Sequence, residues 1–287
     1  MQDLTKTYAS GWEDYELIDA GGGKKLERWG KIITIRPELQ AYFKSELPFT
    51  EWKKLAHLEF IETKGQAGHW KEIQKAPKTW DITYKKITIK LELTKFKHLG
   101  LFPEQQVNWD YLLKELEPNE KFLNVFAYTG AASCIAKSLR ADVFHVDSVK
   151  NLISWAKENM IKSGLNDIRW VHEDALKFIK REEKRGNNFR GIIMDPPAWG
   201  IGAKGEKWKL EDQIDELVAT GAKLLTENGF LIMNTYTPSV DIAFLQDLFP
   251  LYFPNKKLNI SELWMKTTTK KDLYFGNLVR VEKSVAD

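Results

Sequence analysis

A single cysteine, Cys134, stands in 287 residues, so an intramolecular disulfide framework and a cysteine-based zinc cluster are both excluded. No metal site is expected. So few thiols fit a reducing interior compartment, and a cytoplasmic location is the expectation. No apolar run approaches membrane-spanning length, so no membrane is expected as a partner. The first fifteen residues mix acidic and polar side chains without an apolar centre, which is unlike a secretory signal. Internal repeats and low-complexity segments are lacking. The charge imbalance is small, a formal +3, which by itself does not announce nucleic acid. The dinucleotide fingerprint G-x-G-x-x-G is also missing, which argues against a pyrophosphate-bearing cofactor.

What is present is a globular composition, 43% hydrophobic and 29% charged, with eleven tryptophans. The length allows two domains. Up to about residue 98 the chain reads as short strands and turns, a small β-rich domain. Lys31–Arg36 is a β-branched strand stopped by Pro37. Residues 38–44 and 49–55 are expected as short helices. Residues 83–93 alternate, with Ile87, Ile89, Leu91 and Leu93 on one face. Between Lys64 and His98 lie nine lysines against three acids, interleaved with His69, Trp70, Trp80, Tyr84 and Phe96. Cations beside aromatic faces suit a nucleic-acid surface. The bland alternative is a solvated lysine face over an aromatic core.

From residue 99 onward the pattern changes. His98–Gln105 and a helix near 107–116 form the hinge. Strands then alternate with helices from Phe122 to Val281, which implies a mostly parallel sheet with helices on both faces and an antiparallel hairpin at its edge. Helix 210–225 is expected to stop at Gly229.

Ligands of such sheets bind outside the carboxyl ends of the strands. Four stretches supply those ends. Phe126-Ala127-Tyr128-Thr129-Gly130 follows the first strand, and Gly130 lets the backbone approach a ligand closely. Asp147-Ser148 follows the second, where a carboxylate suits ribose hydroxyls. Asp174-Ala175 follows the third, where a carboxylate suits an adenine amine. Asp195-Pro196-Pro197-Ala198-Trp199 follows the apolar strand Gly191–Met194. Its prolines lack N–H groups and force extended backbone, so a stiff arm is expected, with carbonyls directed outward and lacking local amide partners. Asp195 and the Pro196 carbonyl would accept from a planar amine, over which Trp199 would stack. A ligand with a ribose, an adenine and a carboxylate but no phosphate fits these stretches; S-adenosylmethionine is one.

With Gly100-Leu101-Phe102-Pro103-Glu104-Gln105, Asn124–Gly130, His145–Ser148, Glu173–Ala175 and Asp195–Trp199 in this order, residues 99–281 resemble a class I S-adenosylmethionine-dependent methyltransferase. The likeness is to the group that includes the ribosomal large-subunit RNA methyltransferases. It implies a seven-stranded Rossmann-like sheet over 99–287 behind a β-rich domain over 1–98. It also implies S-adenosyl-L-methionine as methyl donor, RNA as partner, and contacts from Phe102 and Gln105 to the cofactor. The first hundred residues, with Lys25–Gly30, resemble the N-terminal part of one branch of that group, and no function carries over with them. Relatives that methylate cytosine C5 use a cysteine after the fifth strand of the sheet. Here Asn234-Thr235-Tyr236-Thr237-Pro238 stands there, so direct transfer to a base nitrogen is expected, with Tyr236 and Pro197 lining the acceptor pocket. The basic turn 266–271 is a further candidate for gripping phosphate. A protein or small-molecule methyltransferase, a non-catalytic RNA-binding protein on the same fold and, more weakly, a nicotinamide-dependent oxidoreductase remain alternatives. The oligomeric state is left open.

Overall fold

The computed structural model describes residues 5–63, 67–201 and 207–283. Its elements begin with strands β1 (Lys6–Ala9), β2 (Tyr15–Gly21), β3 (Lys24–Trp29) and β4 (Ile32–Pro37). Helix α1 (Phe49–Leu55) and strands β5 (Leu58–Glu62), β6 (Gly68–Glu72), β7 (Thr79–Tyr84) and β8 (Ile87–Glu92) follow. A 3-10 turn (Pro103–Gln105) leads into α2 (Gln106–Glu115). Then come β9 (Lys121–Val125), α3 (Ala131–Ser138), β10 (Asp142–Asp147), α4 (Lys150–Lys162), β11 (Arg169–His172), α5 (Ala175–Lys184) and β12 (Phe189–Met194). The chain ends with β13 (Trp199–Ile201), β14 (Lys207–Lys209), α6 (Leu210–Leu224), β15 (Leu225–Thr235), α7 (Ile242–Tyr252), β16 (Lys257–Lys266) and β17 (Asp272–Glu282).

These residues form two compact units. One holds 5–7, 108–263 and 276–283; the other holds 8–107 and 264–275.

The larger unit is built on a sheet in the order β1-β16-β17-β15-β12-β9-β10-β11. The five strands from β15 to β11 run parallel, and β17 lies antiparallel to β15. The expected seven strands are present, with β1 as an eighth at the edge. Parallel strands covered on both faces must be apolar throughout, and β12 is buried at all but one position. Leu123, Val125, Ile192, Met194, Leu231 and Met233 form the centre of the core with Ile214, Leu217 and Val218 of α6. Strand order runs outward from β9 through β10 to β11 on one side, and through β12 to β15 on the other. The reversal therefore falls between β9 and β12. Gly229 does not end α6. It sits inside β15 where the pairing with β12 jumps from Phe189↔Leu225 to Gly191↔Phe230.

The smaller unit has a five-stranded sheet in the order β2-β3-β4-β5-β6 and the separate hairpin β7-β8. Leu26, Ile35, Trp52 and Ala56 form its small core cluster. Buried Asp19 ties its parts together. The carboxylate accepts from the Ala20 and Leu47 amides at 2.9 and 2.8 Å, from Trp52 Nε1 at 3.1 Å and from Thr269 Oγ1 at 2.8 Å. The long strand expected over 83–93 is the second arm of a hairpin. Lys85, at φ 51°, turns the chain, and Ile87, Ile89 and Leu91 point inward as the alternation requires. Residues 38–44 are not helical. Their carbonyls are captured by the glycine turn instead, Phe43 O by Gly22 N at 2.7 Å and Ala41 O by Gly23 N at 2.8 Å.

Candidate active site

The reversal of strand order places two loops side by side. Val125 of β9 pairs with Met194 of β12, so Phe126 and Asp195 are the next residues out on adjacent strands. This crevice is where open parallel sheets receive ligands.

The loop after β9 is held in an uncommon backbone. Phe126, Tyr128 and Gly130 have φ of 59°, 52° and 81°. Side-chain-bearing residues adopt such values only where the surroundings enforce them. Here the enforcing contacts are visible. Ala127 N donates to Val146 O at 3.1 Å, and Tyr128 N donates to Asp147 Oδ2 at 2.9 Å. From α4, Asn159 Nδ2 donates to Thr129 O at 2.9 Å. Gly130 caps α3, and a Cβ there would stand 2.9 Å from Ala156 Cβ and 3.2 Å from His145 Cε1. The cradle at Gly130 admits no side chain.

Asp147 ends β10, buried at 8% exposure. Its Oδ1 accepts from Val149 N at 2.8 Å, so both oxygens are aimed by backbone amides. Burial raises its pKa, and the Val149 and Tyr128 amides oppose that rise. Each oxygen keeps acceptor capacity beyond one amide, as a ribose diol requires. Ser148 follows, its carbonyl bonded to His172 Nε2 at 3.0 Å. Asp174 caps α5, accepting from Lys177 N at 2.9 Å, with Ala175 buried behind it. Its neighbour Glu173 is bound by Arg181.

The arm after β12 differs from expectation in one respect. Its carbonyls do find partners. Pro197 O accepts from Trp208 Nε1 at 2.7 Å, and Ala198 O from Leu210 N at 3.0 Å. The arm continues into the two-stranded ribbon β13-β14, which brings Trp208 back against it. Pro196 is buried, Pro197 exposed, and Trp199 is 62% exposed. Tyr236 follows β15, the parallel neighbour of β12, and is 39% exposed. The close approach of Gly276, whose Cβ would meet Thr235 O at 2.4 Å, fixes the strand end beside it.

Phe126–Gly130, Asp147–Ser148, Asp174–Ala175, Asp195–Trp199 and Tyr236 thus emerge along one carboxyl edge of the sheet. Phe102 and Gln105 belong to the other unit, in and beside its 3-10 turn, where the Phe102 ring lies 5.2 Å from that of His98. A cleft of about 1160 Å³ lies at the opposite, amino end of the sheet beside Lys121, Arg190 and Thr226. It contains none of these residues.

Beneath the Gly130 loop runs a buried relay that sequence reasoning missed. Asn124 Nδ2 donates to Ser133 Oγ at 2.9 Å, and Ser133 Oγ shares a hydrogen bond with His145 Nδ1 at 3.0 Å. Burial holds the His145 pKa down at about 3, so the ring is neutral. Cys134 is buried, its thiol pushed up to about 12 by burial, far from the thiolate a nucleophile requires. Asn159 was also missed, although a polar residue at helical spacing from Ile153 and Ala156 on an apolar stripe is a readable signal. Trp208 left no local signal.

The lysine-rich stretch is less of a stacking surface than its composition implies; Lys64 lies outside the described residues. Trp70 packs on Phe60 and Trp80 Nε1 donates to Trp29 O at 3.1 Å. Tyr84 is buried against Trp12. Phe96 and His69 are exposed. In the turn 266–271, Lys266 pairs with Asp272 at 3.5 Å and Lys271 with Glu46 at 3.4 Å.

No family model matches the chain. A solved structure of an S-adenosylmethionine-dependent methyltransferase from Agrobacterium tumefaciens is 32% identical and matches with a TM-score of 0.92, over 98% of this chain and 94% of that one. Among curated proteins, the chain is 29% identical over 199 residues to ribosomal RNA large subunit methyltransferase K/L of Shewanella frigidimarina, covering 63% of this chain and 27% of that protein. It is 30% identical over 149 residues to the protein of the same name from Syntrophotalea carbinolica, covering 50% of this chain and 20% of that one. The matched region therefore spans about a quarter or less of these curated relatives.

Proposed function

This chain belongs to the S-adenosylmethionine-dependent methyltransferases, and on that premise we propose that it methylates a nitrogen of an RNA base, with ribosomal RNA as the substrate class. The observation that carries the reading is the emergence of the Asp195-Pro196-Pro197 arm beside the Phe126–Gly130 loop at the reversal of strand order.

The cradle at Gly130, closed to any side chain, and the amide-aimed carboxylate of Asp147 fit an adenosine-bearing cofactor with a carboxylate. In this assignment the loop 126–130 and the α3 amino terminus receive its methionine end. Asp147 and Ser148 hold the ribose, and Asp174 and Ala175 face the adenine. Phe102 and Gln105 are assigned to the same ligand on the resemblance alone. Bound S-adenosylmethionine supplies an electrophilic methyl group on a sulfonium.

Asp195 and the Pro196 carbonyl then orient an amine or ring nitrogen, with Pro197, Trp199 and Tyr236 lining the space around the base. In-line transfer needs alignment above all, and a nitrogen lone pair kept clear of other bonds. A proton shed by an exocyclic amine passes to Asp195 or to water. The buried, protonated Cys134 and the absence of cysteine in residues 234–238 support direct transfer over a covalent enzyme–base adduct. RNA as substrate rests on the names of the curated relatives. The β-rich segment, residues 1–98, is assigned to substrate binding and 99–287 to transfer. Packing of most rings in the lysine-rich stretch favours keeping a second reading, a protein or small-molecule acceptor.

Incubating the protein with methyl-labelled S-adenosylmethionine and, separately, RNA, ribosomal subunits and protein from cells lacking it tests the assignment. Label in RNA, located on a base nitrogen after nuclease digestion, is the expected result. Label in protein alone moves the assignment to the second reading.

A further inference from the structure

We infer that Trp208 is a positioning residue for methyl transfer, holding the acceptor arm in register with the cofactor loop. The inference rests on the assignment of the Asp195 arm to the acceptor.

Two contacts made by one side chain carry it. The indole N–H of Trp208 donates to the Pro197 carbonyl at 2.7 Å. The same indole packs against the Phe126 ring, with centroids 4.9 Å apart and planes at 58°. Phe126 is the first residue of the cofactor loop and sits at φ 59°; Pro197 is the second proline of the arm. A single side chain, 6% exposed, therefore touches both walls of the crevice.

The ribbon explains how the indole is delivered. In the β13-β14 pairing Trp199 stands opposite Lys209, and Gly200 opposite Trp208. Alternation sends Trp208 inward, while Trp199, Lys207 and Lys209 remain exposed on the other face. Leu210 N closes the ribbon onto Ala198 O at 3.0 Å. The arm itself has few soft torsions. Both prolines have fixed φ, and each restricts the residue before it to extended backbone. What stays free is rotation of the Pro197 peptide, and the indole N–H fixes that carbonyl. Loss of the bond alone does not empty the core, because the bicyclic ring stays in place. It frees the arm, and displacements of about 1 Å at a reacting centre cost about a hundredfold in rate.

The test separates positioning from packing. Replacing Trp208 by β-(3-benzothienyl)alanine keeps the bicyclic ring and removes only the N–H. Binding of S-adenosylhomocysteine is expected to stay within about twofold of native and the thermal midpoint to be unchanged. The kcat is expected to fall at least about tenfold at an unchanged KM. In the native protein, the indole N–H of Trp208 is expected to exchange with solvent far more slowly than that of Trp199, a readout that needs no acceptor. A kcat within twofold of native overturns the inference, as does fast exchange at Trp208, or a parallel loss of cofactor binding and thermal stability. Failure of the native protein to label RNA overturns the RNA assignment alone; the kcat comparison is then made on whichever acceptor is labelled.

Discussion

The side-chain amide of Asn159 donates to the Thr129 carbonyl at 2.9 Å, reaching from the buried face of α4 into the loop that caps α3. That bond helps to hold a backbone in which Phe126 and Tyr128 both stand at positive φ. Asn159→Leu removes the donor and leaves a buried carbonyl. It is expected to destabilise the protein by about 1–3 kcal/mol in urea unfolding. Relaxation of the loop should also weaken S-adenosylhomocysteine binding by about tenfold in calorimetric titration.

Gly130→Ala is expected to do more. The new methyl group would stand 2.9 Å from Ala156 Cβ in a backbone at φ 81°. Left-handed strain alone costs about 1–2 kcal/mol, and the contact adds to it. Cofactor affinity should fall by more than tenfold while the far-ultraviolet circular dichroism stays native.

Asp19 is a stability residue with no assigned part in transfer. Asp19→Ala strands the Ala20 and Leu47 amides and the Trp52 indole N–H in the interior of the β-rich unit. A loss of about 3 kcal/mol or more is expected by chemical unfolding. Asp19→Asn keeps the acceptor oxygen that Leu47 and Trp52 share and should lose less.

Glu104 gives stability a pH dependence near neutrality. Burial pushes its carboxyl from the usual 4.5 up to about 7; Lys25 and Arg36 oppose the rise and Glu38 adds to it. The folded protein therefore holds this proton more tightly than the unfolded chain. The contribution is fully present below about pH 4.5 and is lost as pH rises through 7, about 3 kcal/mol in all. Glu27 and Glu38 have the opposite sign. Despite burial, Arg36 and Lys25 lower Glu27, and Lys25 and Lys97 lower Glu38, so their contributions are lost only in acid. Burial holds the His98 and His145 pKa values down at about 3, so their contributions grow as pH rises towards 6.5 and oppose that of Glu104. The Glu104 effect is therefore read as a difference: from pH 5 to 8 the unfolding free energy of the native protein should fall relative to that of Glu104→Gln.

Strand–helix alternation made the sheet and its carboxyl edge legible, because buried parallel strands such as 189–194 are continuous apolar runs and their ends are marked by Gly130, Asp147 and Asp195. Strand β3 was not legible. Its inward positions include Lys25, which pairs with Glu38 and Glu27, and Glu27, which Arg36 and Tyr15 also bind, and such a pattern reads as surface. The contact between Trp208 and Pro197 was hidden for another reason. It depends on a ribbon folding back over eleven residues, which no local periodicity encodes. The lysine-rich stretch misled by composition, since most of its rings are used for packing.

The central claim is a division of labour between two strand-end carboxylates, Asp147 for the methyl donor and Asp195 for the acceptor. Titrating S-adenosylmethionine into native protein, Asp147→Ala and Asp195→Ala, and measuring methyl transfer to RNA with each, tests it most directly. The account predicts that Asp147→Ala loses cofactor affinity by about a hundredfold or more. Asp195→Ala should bind within about tenfold of native yet transfer at less than about one hundredth of its rate. Native-like cofactor binding by Asp147→Ala, or native-like transfer by Asp195→Ala, would contradict it.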